Sequence, residues 1–236
     1  LIETREAAIV ADLGTGGFAN LVRFRTPESI DAVVISHMHA DHFIDFIPLR
    51  YALRYGARTH DRRVKLFLPP GGTEILHGMV TPFVGEAGAF LDDVFAIETY
   101  DPQGAIVIGD VRVTFAPTKH YIACYAMRFS TPEVTLVYSA DTAPDDGLAA
   151  FARDATLLLC EATLTREEEV LEPRGHLSSR EAGLLATQAR AKALFLSHYP
   201  ASAKPAEMAR AASETYAGPV RVVDDANRYD LRESFA

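Results

Sequence analysis

Residues 37–42 read His-Met-His-Ala-Asp-His, and no other stretch narrows the chain's options as far. The segment follows directly on residues 32–35, Ala-Val-Val-Ile, an apolar, largely β-branched run of the kind that forms a buried strand. In extended backbone, residues two apart face the same side, so His37 and His39 can grip one ion together. Asp41 and His42 come as the chain turns into a helix, where they can face a second ion. Asp41 there also has the position of a helix N-cap, its ordinary structural role. Packing alone rarely gathers three histidines and an aspartate into six residues. Imidazole with carboxylate suits zinc, iron or manganese.

Six residues cannot close two coordination spheres, so other segments must supply ligands. The chain has eight histidines, and three outside the cluster stand at or near the end of an apolar run. Residues 111–115 lead through Pro117 to His120, and residues 193–196 lead to Ser197 and His198. Asp141 follows residues 134–138, Glu161 follows residues 156–160, and His176 lies a little farther on. Residues at the carboxyl ends of neighbouring strands converge on one sheet edge, where ligands are usually bound. Taken singly, a histidine at such a place is a hydrogen-bonded turn residue, but the cluster at 37–42 favours ligation. His60 and His77 lie in loop-like sequence and read as surface residues.

Helical patterns separate some of these runs. Residues 42–55 carry Phe43, Ile47, Leu49 and Leu53 at three- and four-residue spacings, with Pro48 expected to kink or restart the helix. Residues 179–191 open on a capping-box signature, Ser178 with Glu181, and align Ala182, Leu185, Ala186 and Ala189 in one stripe. A third helix is expected over 204–216. Residues 71–110 are Gly-rich with weak periodicity and read as a long excursion that could cover a site. The sum is an α/β chain, sheets inside and helices outside, forming one domain over residues 1–236. It opens at Leu1 without methionine, which leaves the completeness of the first strand open.

Composition sets the outer bounds. Hydrophobic residues make up 48% and charged residues 23%, the balance of a folded globule. No apolar stretch approaches the roughly 18 residues that span a bilayer, and no membrane partner is expected. Glu3, Arg5, Glu6 and Asp12 leave residues 1–12 without a signal-peptide core. Two cysteines, Cys124 and Cys160, make no disulfide framework, so a reducing, cytoplasmic setting is expected. The net charge of −9 lacks the basic footprint of a protein that holds long nucleic acid. Monomer and homodimer both stay open.

In order along the chain, HMHADH, His120 in KHYIACYAMRF, Asp141 in YSADT and His198 in LSHYP resemble the metal motifs of metallo-β-lactamase-fold hydrolases. Asp12 in VADLGTG resembles that family's early structural aspartate. Within the family, CEAT at 160–163 and GHLSSREAG at 175–183 resemble the ribonuclease Z branch. The resemblance implies an αββα sandwich of two mixed β-sheets with helices on both outer faces. It implies one metal on His37, His39 and His120, a second on Asp41, His42 and His198, and Asp141 bridging them. It gives His176 a role in the chemistry from outside the metal set, and Glu161 is placed to orient that histidine. The ribonuclease Z arm that grips transfer RNA has no room here, because His120 and Asp141 are only 21 positions apart.

The expected cofactors are two divalent ions, zinc first, with manganese or iron as alternatives. Two cations about 3.5–4 Å apart share a water, make it hydroxide near neutral pH and stabilise charge on the attacked ester. Two such ions carry about +4, while Asp41, Asp141 and one hydroxide return about −3, so the site favours a small anionic ester. Asp41 can also orient or deprotonate the water, and a protonated His176 can donate to the leaving oxygen. Arg50, Arg54 and Tyr121 are candidates for holding an anion. The expected activity is hydrolysis of a phosphodiester. The alternatives are a lactonase or another carboxylic or sulfate ester hydrolase, and a metal-binding interaction module without catalysis.

Overall fold

The computed structural model describes residues 1–56, 62–164, 173–225 and 227–232. The chain divides into two compact units, Leu1–Val111 and Arg112–Ala236.

The first unit runs β1 (Ile2–Glu3), β2 (Ala8–Ala11), α1 (Gly17–Leu21), β3 (Ala32–Val34), α2 (Ala40–Phe43), α3 (Phe46–Tyr55), β4 (Val64–Leu68), α4 (Gly72–Val84), α5 (Ala87–Leu91), β5 (Phe95–Thr99) and β6 (Ala105–Ile108). Its first five strands form a sheet in chain order, parallel except for β1. Every residue of β3 is buried, as expected of a strand inside a parallel sheet. The register sets Val33 beside Val10 and Leu66. Phe46, Leu49 and Leu53 of α3 join Leu76 and Val80 of α4 and Leu91 of α5 in a core with Val33, Ile35, Leu66 and Phe95. Each such side chain contributes about 1.5–3 kcal/mol on burial.

Three expectations change in this unit. The break expected at Pro48 falls earlier: α2 ends at Phe43 and α3 starts at Phe46. Between them, Asp45 accepts from the Phe18 N–H at 3.0 Å and donates its own N–H to the Leu13 carbonyl at 3.1 Å. Pro48 falls in the first turn of α3, where a missing N–H costs no helical bond. Asp41 is not an N-cap: His39 holds that position, without a side-chain cap, and Asp41 lies inside α2. Residues 71–110 form two helices and two strands instead of a loose excursion. Gly78 and Pro82 inside α4 hide its period from the sequence. His77 accordingly sits half-buried on a helix, and His60 lies outside the described residues.

The second unit runs β7 (Val111–Pro117), β8 (Tyr125–Ser130), β9 (Thr135–Tyr138), α6 (Asp146–Phe151), β10 (Leu157–Glu161), α7 (Ser179–Ala189), β11 (Leu194–Ser197), α8 (Pro205–Ser213) and β12 (Val220–Val222). Strands β7, β8 and β9 pair antiparallel, then β9 to β12 pair parallel with a helix in each connection. Within this unit the sheet order is β12-β11-β10-β9-β8-β7. Both sheets are mixed and carry helices, in the α/β class expected.

The capping box of α7 forms as read, with Ser178 accepting from the Glu181 N–H and Glu181 accepting from the Ser178 N–H. Its stripe of Ala182, Leu185, Ala186 and Ala189 packs in a core with Leu148, Leu194, Leu196 and Met208. Helix α8 stops at Ser213, short of residue 216, as the chain turns to bury Tyr216, whose hydroxyl donates to the Ala191 carbonyl at 2.7 Å. Among the described residues, no helix is long and apolar enough to cross a membrane.

Candidate metal centre

In the first unit the candidate ligands gather where β2 and β3 end. Asp12 follows β2 in left-handed backbone, at φ 53°. A non-glycine residue there costs about 1–3 kcal/mol and persists only when its surroundings hold it. Here they do. Asp12 Oδ1 accepts from the Ser36 N–H at 2.7 Å, and Oδ2 accepts from the Ser36 hydroxyl at 2.7 Å and from His42 Nδ1 at 2.8 Å. With the Nδ1 proton donated to the carboxylate, His42 keeps its lone pair on Nε2, 3.8 Å from Asp41 Oδ2.

His37 is fully buried, and its Nδ1 lies 2.9 Å from the Ser36 hydroxyl oxygen. That hydroxyl gives its one proton to Asp12, so His37 Nδ1 is the donor and Nε2 is again the bare nitrogen. His37 Nε2 approaches His39 Nδ1 at 3.1 Å. Two nitrogens on one tetrahedral zinc stand about 3.3 Å apart for metal bonds near 2.0–2.1 Å, so this spacing fits a shared ion. Asp12, His37 and His42 together set one ligand atom each within 4.8 Å of one another.

The backbone beneath is fitted closely. The Leu13 N–H donates to the His42 carbonyl at 2.7 Å, and a Cβ on Gly14 would lie 1.5 Å from the Asp41 carbonyl oxygen. Only glycine permits that approach. Tyr100 donates from its buried hydroxyl to the Ile35 carbonyl at 3.0 Å, bracing the end of the strand. Sequence reading passed over Ser36 and Tyr100. Ser36 had a signal, a hydroxyl at the strand end beside His37, while Tyr100 had none.

In the second unit the candidates follow different strands and meet around Asp141. His120 lies in the loop between β7 and β8, Asp141 just after β9, His198 just after β11, and His176 shortly before α7. Ala140 and His198 adopt left-handed backbone, at φ 50° and 49°, so the chain bends sharply as it leaves each strand. Asp141 is buried. His120 Nε2 stands 3.7 Å from Asp141 Oδ2 and His198 Nε2 stands 3.6 Å from Oδ1. Asp141, His176 and His198 set one ligand atom each within 4.8 Å of one another.

Hydrogen bonds assign the protons here too. His120 Nδ1 donates to the Gly175 carbonyl at 2.9 Å, which leaves Nε2 bare. The loop holding His120 is tied to Asp141 through the Thr118 hydroxyl, which donates to the Asp141 carbonyl at 2.7 Å.

Glu161 is fully buried rather than a solvated loop charge. Its Oε1 accepts from the Thr142 N–H at 2.8 Å and from His176 Nδ1 at 3.0 Å. Its Oε2 faces the Thr163 N–H at 3.1 Å and the Thr163 hydroxyl at 2.7 Å. A carboxylate held by this many donors is fixed in place, and it orients the His176 ring through Nδ1. His176 Nδ1 also lies 4.0 Å from Asp141 Oδ2. The neighbouring Cys160 is fully buried, and that burial pushes its thiol well above the usual cysteine range, with the Glu161 charge adding to the rise.

The three anion candidates separate. Arg50 is buried and committed to structure, donating to the Phe90 carbonyl at 2.8 Å and to Asp93 at 2.9 Å. Arg54 shares Asp93 at 3.0 Å. Tyr121 is 54% exposed, its ring 5.0 Å from that of His120 and 5.8 Å from that of His176.

Comparison with known proteins bears on these residues. The family described as "Beta-lactamase superfamily domain" matches residues 10–199. The probable metallo-hydrolase YhfI of Bacillus subtilis is 29% identical over 229 residues, covering 94% of this chain and 87% of the relative. The crystal structure of that metallo-β-lactamase-fold protein superposes with a TM-score of 0.85 at 25% identity, over 94% of this chain and 87% of the other. Ribonuclease Z of Myxococcus xanthus is 26% identical over 281 residues, covering 98% of this chain and 90% of the relative. A diphosphatase from the PhnP family shares the fold with a TM-score of 0.70 at 17% identity, over 97% of this chain and 83% of the other.

Proposed function

The chain belongs to the beta-lactamase superfamily, and we propose that within it this metallo-hydrolase cleaves a small anionic ester, a phosphodiester before any other. The proposed ligands are those the motifs suggest: His37, His39 and His120 for one divalent ion, Asp41, His42 and His198 for the other, and Asp141 for both. The donor set fits such ions. His37, His42 and His120 each give the Nδ1 proton to an oxygen acceptor and keep a bare Nε2, the arrangement of metal-ligating histidines. All these donors are nitrogen and oxygen, which suits zinc first and manganese or iron next. When bound, such ions supply Lewis acidity, making a water nucleophilic near neutral pH and drawing charge from the attacked ester.

The chain's own residues supply the rest. Asp41, with a side chain 64% exposed, accepts a hydrogen bond from the attacking water and orients it. His176 holds a proton on Nδ1 against Glu161 and donates a second from Nε2 to the leaving oxygen. The Glu161 charge stabilises the imidazolium until then. The observation that carries the reading is the half-buried His176 held at 3.0 Å by the fully buried Glu161, beside Asp141. A proton donor placed there serves an alkoxide leaving group, as phosphodiester cleavage requires.

The name of one similar protein, a ribonuclease Z, supports phosphodiester chemistry. A small substrate is proposed rather than long nucleic acid. The residues between His120 and Asp141 are taken up by β8, β9 and short connections, and the chain carries net charge −9.

The test is a side-by-side assay of the zinc-loaded protein on bis(p-nitrophenyl) phosphate, an aryl sulfate and a panel of lactones. Turnover of the phosphodiester is expected. Turnover of lactones alone would assign a lactonase, and a metal-loaded protein inert on every ester would assign a binding module.

A further inference from the structure

Thr163 lies between two residues of the proposed site, and the function above gives it no part. Its hydroxyl oxygen is 2.7 Å from Glu161 Oε2, 2.8 Å from His198 Nδ1 and 2.9 Å from the His198 carbonyl oxygen. A hydroxyl has one proton to give and two lone pairs to offer. Among the neighbours, the Glu161 carboxylate is the charged acceptor and the shortest contact, so it takes the proton. The Thr163 oxygen then faces His198 Nδ1 with a lone pair, and Nδ1 must be the donor. Nε2 of His198 is left bare, 3.6 Å from Asp141 Oδ1. The opposite arrangement, with the hydroxyl donating to Nδ1, would put a proton on Nε2, the atom that must be bare to hold an ion.

We propose that Thr163 is a positioning residue that carries the orienting effect of Glu161 to two histidines at once. One Glu161 oxygen holds Nδ1 of His176, the proposed proton donor, and the other acts through the Thr163 hydroxyl on Nδ1 of His198, the proposed metal ligand. The hydroxyl also sits against the His198 carbonyl, at a residue whose backbone is left-handed, φ 49°. Thr163 therefore selects the ring tautomer and steadies the strained turn that presents the ring. This inference rests on the metallo-hydrolase reading above, in which His198 is a ligand.

The experiment compares the full-length protein with Thr163→Val, which keeps the shape and removes the hydroxyl, and Thr163→Ser, which restores it. Zinc titration with metal analysis reads the affinity of each ion. Thr163→Val is expected to weaken one of the two ions about 10–100-fold and leave the other unchanged, the usual cost of losing a group that orients a ligand. Thr163→Ser is expected to recover the affinity. Equal retention of both ions by Thr163→Val and the unaltered protein would overturn the proposal.

Two-bond proton–nitrogen NMR of histidine rings in the unaltered protein gives a second readout, which stands even if Thr163→Val fails to fold. A proton on His198 Nδ1 is expected, and one on Nε2 would overturn the assignment. Absence of metal uptake by the unaltered protein would sink the metallo-hydrolase reading itself, whereas two tightly held ions with no effect of Thr163→Val would sink this inference alone.

Discussion

The two units assemble their candidate site residues differently. In the first, His37, His39, Asp41 and His42 come from six consecutive residues at the end of one strand, and Asp12 alone is drawn from elsewhere. In the second, His120, Asp141, His176 and His198 come from four separate loops. The first set needs only a strand that ends and a helix that begins. The second needs the register of β9, β10 and β11 to bring their carboxyl ends level before any ligand pair can form. Both use the same local device, a residue in left-handed backbone just past a strand: Asp12 in one, Ala140 and His198 in the other.

The clearest way to break this comparison is at Asp141, around which the second unit's ligands gather. Asp141→Ala is expected to abolish both metal retention and turnover, measured together by metal analysis and ester assay. Survival of either would mean that the scattered set is not a ligand set. Next in size is His176→Ala, expected to keep both ions and lower turnover roughly 10²–10⁴-fold, as loss of a general acid does. Unchanged turnover would return His176 to a structural role before α7.

A smaller effect is expected from Asp12→Ala in the first unit. It removes the acceptor that fixes His42 and the Ser36 hydroxyl, and should weaken metal binding about 10–100-fold without removing a ligand. Competition with a zinc chelator would measure it.

Stability sharpens the contrast further. Leu49→Ala empties a fully buried position in the first unit's core, at a cost of about 2–5 kcal/mol. Ser178→Ala removes the α7 cap in the second unit, at about 1 kcal/mol. Denaturant melts would resolve the two. Least of all, Cys160 should resist thiol-specific alkylation near pH 8 in the folded protein. Burial holds its thiol protonated there, and the thiol should react once the protein is unfolded.

How much of this was legible depended on where the information lay. The capping box of α7 and its alanine stripe are contiguous and were read directly, and so was the 37–42 cluster. The strands beneath the site were also plain, because parallel strands buried on both faces appear as unbroken apolar runs. The long segment 71–110 misled, since Gly78 and Pro82 interrupt the apolar period of a helix that tertiary packing nevertheless holds. Arg50 misled in another way. A charged side chain near a suspected site suggests anion binding, yet Asp93 and the Phe90 carbonyl, 40 and more positions away, had already taken it.

The order of residue types along the chain determined which donors exist, that they are nitrogen and oxygen, and that they follow strands. Spacing of two in extended backbone and of three to four in helices is a local rule, and local rules can be read from a string of letters. Which imidazole nitrogen is bare was decided only by the folded chain. Ser36, Thr163, Glu161 and the Gly175 carbonyl each fix one proton through contacts that depend on tertiary geometry. A hydrogen bond across 35 positions, such as Thr163 to His198, leaves no periodic trace in sequence.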